Sequence, residues 1–268
     1  QLYHIVLYGV GAYASGMLAK NLGVPVFVAI PLGGVMAALL GVLITLVLLR
    51  STGWGFYIAT YGLAELIRLT WLKFRNPFGG STGIISIPYP PAVAGIDFGA
   101  AIPYYFFNLG VVLVILYMLY RLEKSQIGDA FKAISMDPEL AASTGISIPR
   151  NRLLACAIGS FFAGIAGGLI VHRLGAVDPK LFNITTMLYL LIWVVVGGTN
   201  TFWGPIIGVS VMYTVFELSR PLIQLRPAFF GLSMVLVLLF MPGGLESLIA
   251  KFIGRWRKPN ELPAAETK

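Results

Sequence analysis

Long apolar runs, separated by short polar intervals or by stretches rich in glycine and proline, occupy most of this sequence. The runs predict helices at residues 3–19, 24–49, 56–72, 101–120, 153–171, 181–196, 205–218 and 229–241. Several of them approach or exceed the roughly 20 residues that an α-helix needs to cross a bilayer. The pattern predicts an all-α fold, a polytopic transmembrane helical bundle in residues 1–257.

The chain changes character after the last of these runs. Residues 245–257 place apolar side chains at helical spacing opposite charged ones, which predicts an amphipathic helix lying in the membrane interface. Residues 258–268 are polar and contain proline, so we expect a disordered tail.

Composition excludes a soluble domain, because 57% of the 268 residues are hydrophobic, only 11% are charged, and mean hydropathy is +0.84. The net charge of +8 does not indicate nucleic-acid binding, since the basic residues are dispersed and form no basic face interleaved with aromatics. The positive-inside rule accounts for them better. It places Arg50, residues 121–152 and residues 251–258 on the cytoplasmic side, with loops 73–99 and 172–181 outside.

Residue types that hold metals are sparse in this chain. Cys156 is the lone cysteine, and no spacing of Cys, His and carboxylates matches a zinc or iron–sulfur site. We therefore expect no metal and no cofactor. His172, at the outer end of its run and without a second histidine nearby, is interpreted as an interfacial residue rather than a proton relay or a ligand.

The longest polar interval, residues 121–152, is the chain's clearest place to meet a soluble partner. Asp137 is an N-cap residue and Pro138 suits the first helical position, so a helix should begin there. Glu139 suits its first turn, while Gly145 supplies a left-handed stop and Pro149 a breaker. A helix this short needs tertiary packing or a partner's groove. The alternative is an ordinary solvated loop.

Glu65 and Arg68 lie within an apolar run, where an unpaired charge is costly. Their i, i+3 spacing lets them pair with each other. Two interpretations stay open: an ion pair that anchors the helix near its end, or a pair that lines a polar pathway.

Glycine and proline interrupt the helical pattern at two places. Residues 73–99 hold Gly79 and Gly80 and cannot form a regular spanning helix. The loop lacks the Lys-Ser/Thr that follows a phosphate-binding loop, which disfavours that function. The second interruption contains Gly197, Gly198, Gly204 and Pro205. If it lies at membrane depth, its backbone must line a cavity or be buried in protein, so broken or re-entrant helices are expected.

Several stretches together resemble one family of membrane proteins. They are Gly9-x-Gly11-Ala12-Tyr13, Tyr61-Gly62-Leu63-Ala64-Glu65-x-x-Arg68, Gly79-Gly80-x-Thr82-Gly83, Ala130-x-x-Ala133-Ile134-x-x-Asp137, Glu139-x-Ala141-Ala142-x-x-Gly145 and Gly197-Gly198-x-x-x-x-x-Gly204-Pro205-x-x-Gly208. The set is similar to the permeases of branched-chain amino-acid ABC importers of the LivM type. That family usually has further helices ahead of Gly9, so we expect N-terminal helices to be lacking, and it usually has another glycine where this chain has Asn200.

The resemblance implies a multi-pass permease subunit of a bacterial or archaeal plasma (inner) membrane, itself not an enzyme. Its expected partners are a second, related permease in a heterodimer, two ABC ATPase subunits that hydrolyse ATP, an extracytoplasmic solute-binding protein and the lipid bilayer, with no nucleic acid. It also implies a short cytoplasmic coupling helix that docks on the ATPase. The ATPase-coupling residues it indicates are Ala133, Asp137, Glu139, Leu140, Ala141, Ala142 and Gly145.

The predicted function is uptake of branched-chain amino acids or a similar small solute. The translocation pathway or helix breaks are assigned to Glu65, Arg68, Gly79, Gly80, Gly197, Gly198, Gly204 and Pro205. The rival interpretation is an ion-coupled secondary transporter or channel, which would need coupling-ion sites at midplane helix breaks. A membrane-embedded enzyme is disfavoured because no nucleophile–base or metal constellation appears in the sequence.

Overall fold

A computed structural model describes residues 3–49, 54–92, 95–198, 201–218, 231–232 and 235 of the chain. Within these residues the fold is helical, as predicted, and three helices are long and apolar enough to cross a membrane: α2, α4 and α7. The helices are α1 (His4–Leu22), α2 (Val26–Leu48), α3 (Trp54–Lys73), α4 (Ala101–Glu123), α5 (Gln126–Met136), α6 (Pro138–Ser143), α7 (Ile148–Leu174), α8 (Ile184–Gly197) and α9 (Trp203–Leu218). Two short strands, β1 (Ile84–Ile85) and β2 (Ala176–Val177), and 3-10 helices at Gly80–Thr82 and Pro179–Phe182 complete them.

The chain divides into two compact units, residues 1–187 and 188–268. Helices α1, α2 and α7 form the centre of the first unit. Their glycines allow backbones to touch: a Cβ on Gly167 of α7 would lie 1.9 Å from the carbonyl oxygen of Tyr8 in α1. The hydrophobic effect does not drive helices together in lipid, so the close packing that small residues allow contributes to their association instead. The glycines of the first and fifth apolar runs therefore lie on packing surfaces.

A buried polar cluster joins the same three helices near the start of α7. The Tyr3 hydroxyl lies 2.8 Å from Thr45 Oγ1 and 3.0 Å from Cys156 Sγ, and Thr45 donates to Cys156 Sγ at 2.9 Å. All three residues are buried. Side-chain hydrogen bonds across transmembrane helices contribute about 1 kcal/mol each and add specificity to close packing.

The two loops predicted to lie outside are hydrogen-bonded to each other. Strands β1 and β2 pair antiparallel, with Ile84 opposite Val177 and Ile85 opposite Ala176. Residues more than ninety positions apart thus meet at one end of the bundle. This agrees with the predicted topology, which puts both loops on the same side of the membrane. Which side of the membrane they occupy stays a prediction.

Among the helix boundaries that differ from the predicted ones are the starts of α7, α8 and α9. Helix α7 begins at Ile148, because Pro149 takes one of its first positions instead of acting as a breaker. Helix α8 begins at Ile184, after a 3-10 helix at Pro179–Phe182, and α9 begins at Trp203 rather than at Pro205. Arg50, Asn200 and the elements predicted at residues 229–241, 245–257 and 258–268 lie outside the described residues.

Candidate functional site

The interval at residues 121–152, predicted to be cytoplasmic and to meet a partner, contains two helices in sequence, α5 and α6. The side chain of Asp137 caps α6 by accepting hydrogen bonds from the backbone N–H groups of Glu139 at 2.9 Å and Leu140 at 3.0 Å. The backbone N–H of Asp137 itself donates to the carbonyl oxygen of Ala133 at 3.1 Å, which ends α5. The N-terminus of α6 is therefore fixed by one residue that also closes the preceding helix.

The C-terminus of α6 ends as its sequence predicts. Ile146 N–H donates to the carbonyl of Ala141 at 3.1 Å, and Gly145 N–H donates to Ala142 at 3.0 Å. This is the paired hydrogen-bond pattern of a Schellman motif, which needs a left-handed residue. Gly145 supplies it with φ of +88°. A six-residue helix is thus closed at both ends by local bonds.

Burial separates the inward and outward sides of α6. Ala141 is only 4% exposed, on a helix that packs against both α5 and α7. Leu140 is 64% exposed and Met136, just before the cap, is 87% exposed. Glu139 and Ala142 are exposed as well. Ala141 therefore holds the helix to its own chain, and the apolar side chains of Met136 and Leu140 are presented outward.

Charge around this segment is partly paired. Lys132 Nζ of α5 lies 2.8 Å from a carboxylate oxygen of Glu123, at the end of α4. That carboxylate accepts a hydrogen bond from the ammonium group and raises the pKa of Lys132. The ion pair connects α5 to the end of α4 across the turn between them.

Glu65 and Arg68 pair within α3, as their spacing predicts. Arg68 Nε donates to Glu65 Oε2 at 2.8 Å, and its terminal nitrogen contacts Glu65 Oε1, so the contact is bidentate. The side chains are only 30% and 18% exposed, respectively. Glu65 borders a narrow cleft whose other lining residues are Ile5, Val6, Tyr61, Ala64, Phe182 and Ile184. The partly buried Glu65 carboxylate thus lies beside a cleft lined mainly by apolar side chains.

Gly79 and Gly80 lie in the turn after α3, where the 3-10 helix Gly80–Thr82 begins. Their N–H groups donate to the carbonyls of Arg75 at 2.8 Å and Phe74 at 3.2 Å. Both have positive φ, +83° and +62°, and a Cβ on Gly79 would lie 1.9 Å from the carbonyl oxygen of Gly83. The glycines are required by a tight turn; a role for them in the pathway stays a prediction.

The second glycine-rich interruption separates α8 from α9. Gly198 has φ of +110°, and its N–H donates to the carbonyl of Val194 at 3.1 Å. A Cβ on Gly197 would lie 2.1 Å from the carbonyl oxygen of Gly204 and 2.7 Å from Cα of Gly208. Helices α8 and α9 therefore meet backbone to backbone beside the break, inside the second unit. Pro205 lies in the first turn of α9, where a missing N–H costs no intrahelical bond.

His172 has a different environment from the one that its sequence position predicts. It is completely buried, with Nδ1 2.8 Å from the carbonyl oxygen of Pro88 and Nε2 2.9 Å from Ser15 Oγ. The interpretation as an interfacial residue is wrong, because the loop around Pro88 folds over the end of α7. The sequence signal for the Ser15 contact is that Ser15 stands among the small residues of the first apolar run. Nothing in the sequence relates Pro88 to His172.

Metal-binding groups do not assemble in the part of the chain that the structure describes. No group of three or more His, Cys, Asp or Glu side chains there could hold a metal ion. The candidate site is therefore one of surfaces and helix breaks: the capped helix α6, the Glu65–Arg68 pair and the α8–α9 break.

Comparison with known proteins defines the class. Residues 3–242 match the family described as the permease component of branched-chain amino acid transport systems, and the chain belongs to that family. It is 29% identical over 261 residues to the high-affinity branched-chain amino acid transport system permease protein LivM of Escherichia coli, an alignment covering 89% of this chain and 61% of the relative. The LivM protein of Salmonella typhimurium gives the same identity and coverage.

Sugar permeases are more distant relatives. The ribose import permease protein RbsC of Haemophilus influenzae is 25% identical over 199 residues, covering 74% of this chain and 60% of the relative. The chain thus spans about three fifths of the length of these curated relatives. No solved structure matches it.

Proposed function

We propose that this chain is the transmembrane permease subunit of an ABC importer that takes up branched-chain amino acids or a similar small solute. Family membership and the LivM and sugar-permease relatives support this function. Energy would come from ATP hydrolysed on separate partner subunits, so the chain itself is not the catalyst. The membrane is the plasma (inner) membrane of a bacterial or archaeal cell.

One observation carries the mechanism: α6 is a very short helix closed by local bonds at both ends, with Leu140 and Met136 exposed beside it. Exposed apolar side chains on a preformed helix and just before it are suited to insertion into a groove of a partner. The helix needs little ordering on binding, since Asp137 and Gly145 already fix its ends. We assign the contact with the ATPase to this helix and to Ala133, Asp137, Glu139, Leu140, Ala141, Ala142 and Gly145.

The rest of the assembly follows from the family. A second related permease would complete the pathway, two ABC ATPases would dock on the cytoplasmic side, and an external solute-binding protein would deliver the solute outside. The α8–α9 break is the element we place beside the pathway.

Reconstitution tests the energy source. The chain, with its partner permease and ATPases in liposomes, should take up radiolabelled leucine only when ATP is supplied on the ATPase side and the external binding protein is present. An ion-coupled secondary transporter or channel would instead move solute under an ion gradient with no ATPase present. That outcome would overturn the proposal.

A surface variant tests the docking assignment. Leu140→Ser removes an exposed apolar side chain without altering either cap of α6, so it should leave folding intact and weaken co-purification of the ATPase. Ser143→Ala on the same helix is the matched control. Equal ATPase retention by both variants would remove α6 from the docking surface.

A further inference from the structure

Helix α7 joins the two ends of the first unit. It begins at Ile148, three positions after Gly145, and its 27 residues extend about 40 Å at about 1.5 Å per residue. After Leu174 the chain forms β2, which pairs with β1 in the loop between α3 and α4. One continuous helix therefore connects the segment that follows α6 to the paired loops at the far end. We call residues 79–92 the outer loop.

His172 connects three parts of the structure at that far end. A carbonyl oxygen only accepts, so Nδ1 of the buried ring must donate to Pro88. In the neutral ring Nε2 is then the acceptor, and the hydroxyl of Ser15 donates to it. Both ring nitrogens are used, and the ring ties α7 to α1 and to the outer loop.

Backbone bonds hold the outer loop to the same end of α7. Ile87 N–H donates to the carbonyl of Gly175 at 2.9 Å, next to the β1–β2 pair. Gly83 passes so close to β2 that a Cβ there would lie 1.9 Å from the carbonyl oxygen of Val177, and its φ is +67°. From α1, Lys20 Nζ donates to the carbonyl of Ile85 at 2.7 Å.

The rest of α7 packs closely against α1 and α2. Glycines meet the backbones of α1 and α2 along its middle, and Cys156 contacts Tyr3 and Thr45 near its start. Close-packed elements transmit strain because they have little compressibility. Displacement at the start of α7 would therefore be carried along α1, α2 and α7 together rather than absorbed.

We propose that His172 is a positioning residue that fixes the outer loop to α7, so that displacement of α7 at the coupling helix changes the conformation of the outer loop. This inference rests on the proposed function, because it requires the ATPase to act at α6. His172 touches no substrate in this role; it acts through Pro88 and Ser15.

The reporter is Ser86→Cys, an exposed position in the outer loop. Cys156 is 1% exposed, so the new thiol is the one that a water-soluble maleimide should label. The complete reconstituted transporter is labelled without nucleotide and in the vanadate-trapped state. We expect labelling rates to differ several-fold between the two states.

Two variants in the reporter background should abolish that difference. His172→Leu removes both ring hydrogen bonds, and Gly83→Ala forces β1 away from β2. His172→Asn is nearly isosteric with the leucine variant but keeps an amide that can donate to Pro88, so it should retain the difference. Arg173→Leu, the next residue on α7, is a control that touches neither Pro88 nor Ser15 in the described contacts. Retention of the full difference in His172→Leu would overturn the proposal, whatever Gly83→Ala shows.

The unsubstituted reporter distinguishes this inference from the proposed function. If ATP drives uptake but Ser86→Cys labels equally in both states, the inference fails and the proposed function stands. If the complex shows neither ATPase association nor ATP-driven uptake, the proposed function fails. Should His172→Leu not assemble, Ser15→Ala decides: it removes the hydroxyl that donates to Nε2 and should reduce the labelling difference, and retention of the full difference would overturn the proposal.

Discussion

Gly11 of α1 and Gly164 of α7 lie in direct backbone contact: a Cβ on Gly11 would be 2.2 Å from both Cα and the carbonyl oxygen of Gly164. On its other side Gly164 faces α2, where an added Cβ would lie 2.8 Å from Cα of Gly34. Three helices therefore meet at one glycine. A contact of this kind leaves no room for a methyl group, and in lipid it is a main source of helix association.

Gly164→Ala should destabilise the bundle by about 1–3 kcal/mol, because a well-packed contact must open to admit the methyl group. Gly159→Ala on the same helix is the matched control, since its nearest contact would be His4 Cε1 at an ordinary 3.6 Å. Both substitutions have the same helix propensity change. Thermal unfolding followed by gel filtration in detergent measures the effect, and equal melting temperatures for the two variants would contradict the packing argument.

The left-handed end of α6 gives a second prediction. Gly145 has open space around it, so Gly145→Val introduces no clash, and its cost arises from the φ of +88°. That cost is about 1–2 kcal/mol for an ordinary L-residue. We expect weaker association with the ATPase and loss of stimulation. Gly145→Asn, which tolerates the left-handed region, should restore most of both.

Pull-down and ATPase stimulation in the same preparations measure this prediction. If Gly145→Val binds and stimulates the ATPase as well as Gly145→Asn does, α6 is not the coupling element.

Local signals predicted α6 well because its ends depend on residues within a few positions. Asp137 and Gly145 form bonds that span no more than five residues. His172 could not be placed in this way, because its partners are 84 and 157 positions away. The glycine faces were visible in the sequence, but which glycine meets which depends on how the helices are brought together. Likewise the pairing of β1 with β2 has no signal in two-residue strands.

The α8–α9 break gives a third prediction. If it borders the pathway, single cysteines at Gly198, Thr201, Phe202 and Trp203 should react with a water-soluble thiol reagent in at least one nucleotide state, since backbone at membrane depth needs water or protein partners. Val196, only 2% exposed, is the control and should stay unreactive. The buried Cys156 gives a low background. If all four positions stay unreactive in every nucleotide state, the break does not border the pathway.

The geometry of the Glu65–Arg68 pair bears on the two interpretations left open by the sequence: an ion pair that anchors the helix, or a pair that lines a polar pathway. The contact is bidentate and partly buried within one helix, which favours a role in holding α3 in place over direct contact with solute. Removing one partner leaves the other charge without compensation in apolar surroundings. Removing both leaves no stranded charge.

Glu65→Gln should therefore lower the amount of assembled complex, and the double variant Glu65→Gln/Arg68→Met should partly restore it. In the single variant the ratio of assembled to unassembled complex should fall about fivefold or more, since about 1 kcal/mol of destabilisation lowers a folding equilibrium constant by that factor. A residue pair that touches solute gives the opposite pattern, because both variants would assemble normally and uptake would fall in each. Gel filtration in detergent measures assembly, and leucine uptake is measured on the same preparations after reconstitution. Normal assembly of Glu65→Gln combined with lost uptake would show that the pair acts in the translocation pathway and not in holding α3 in place.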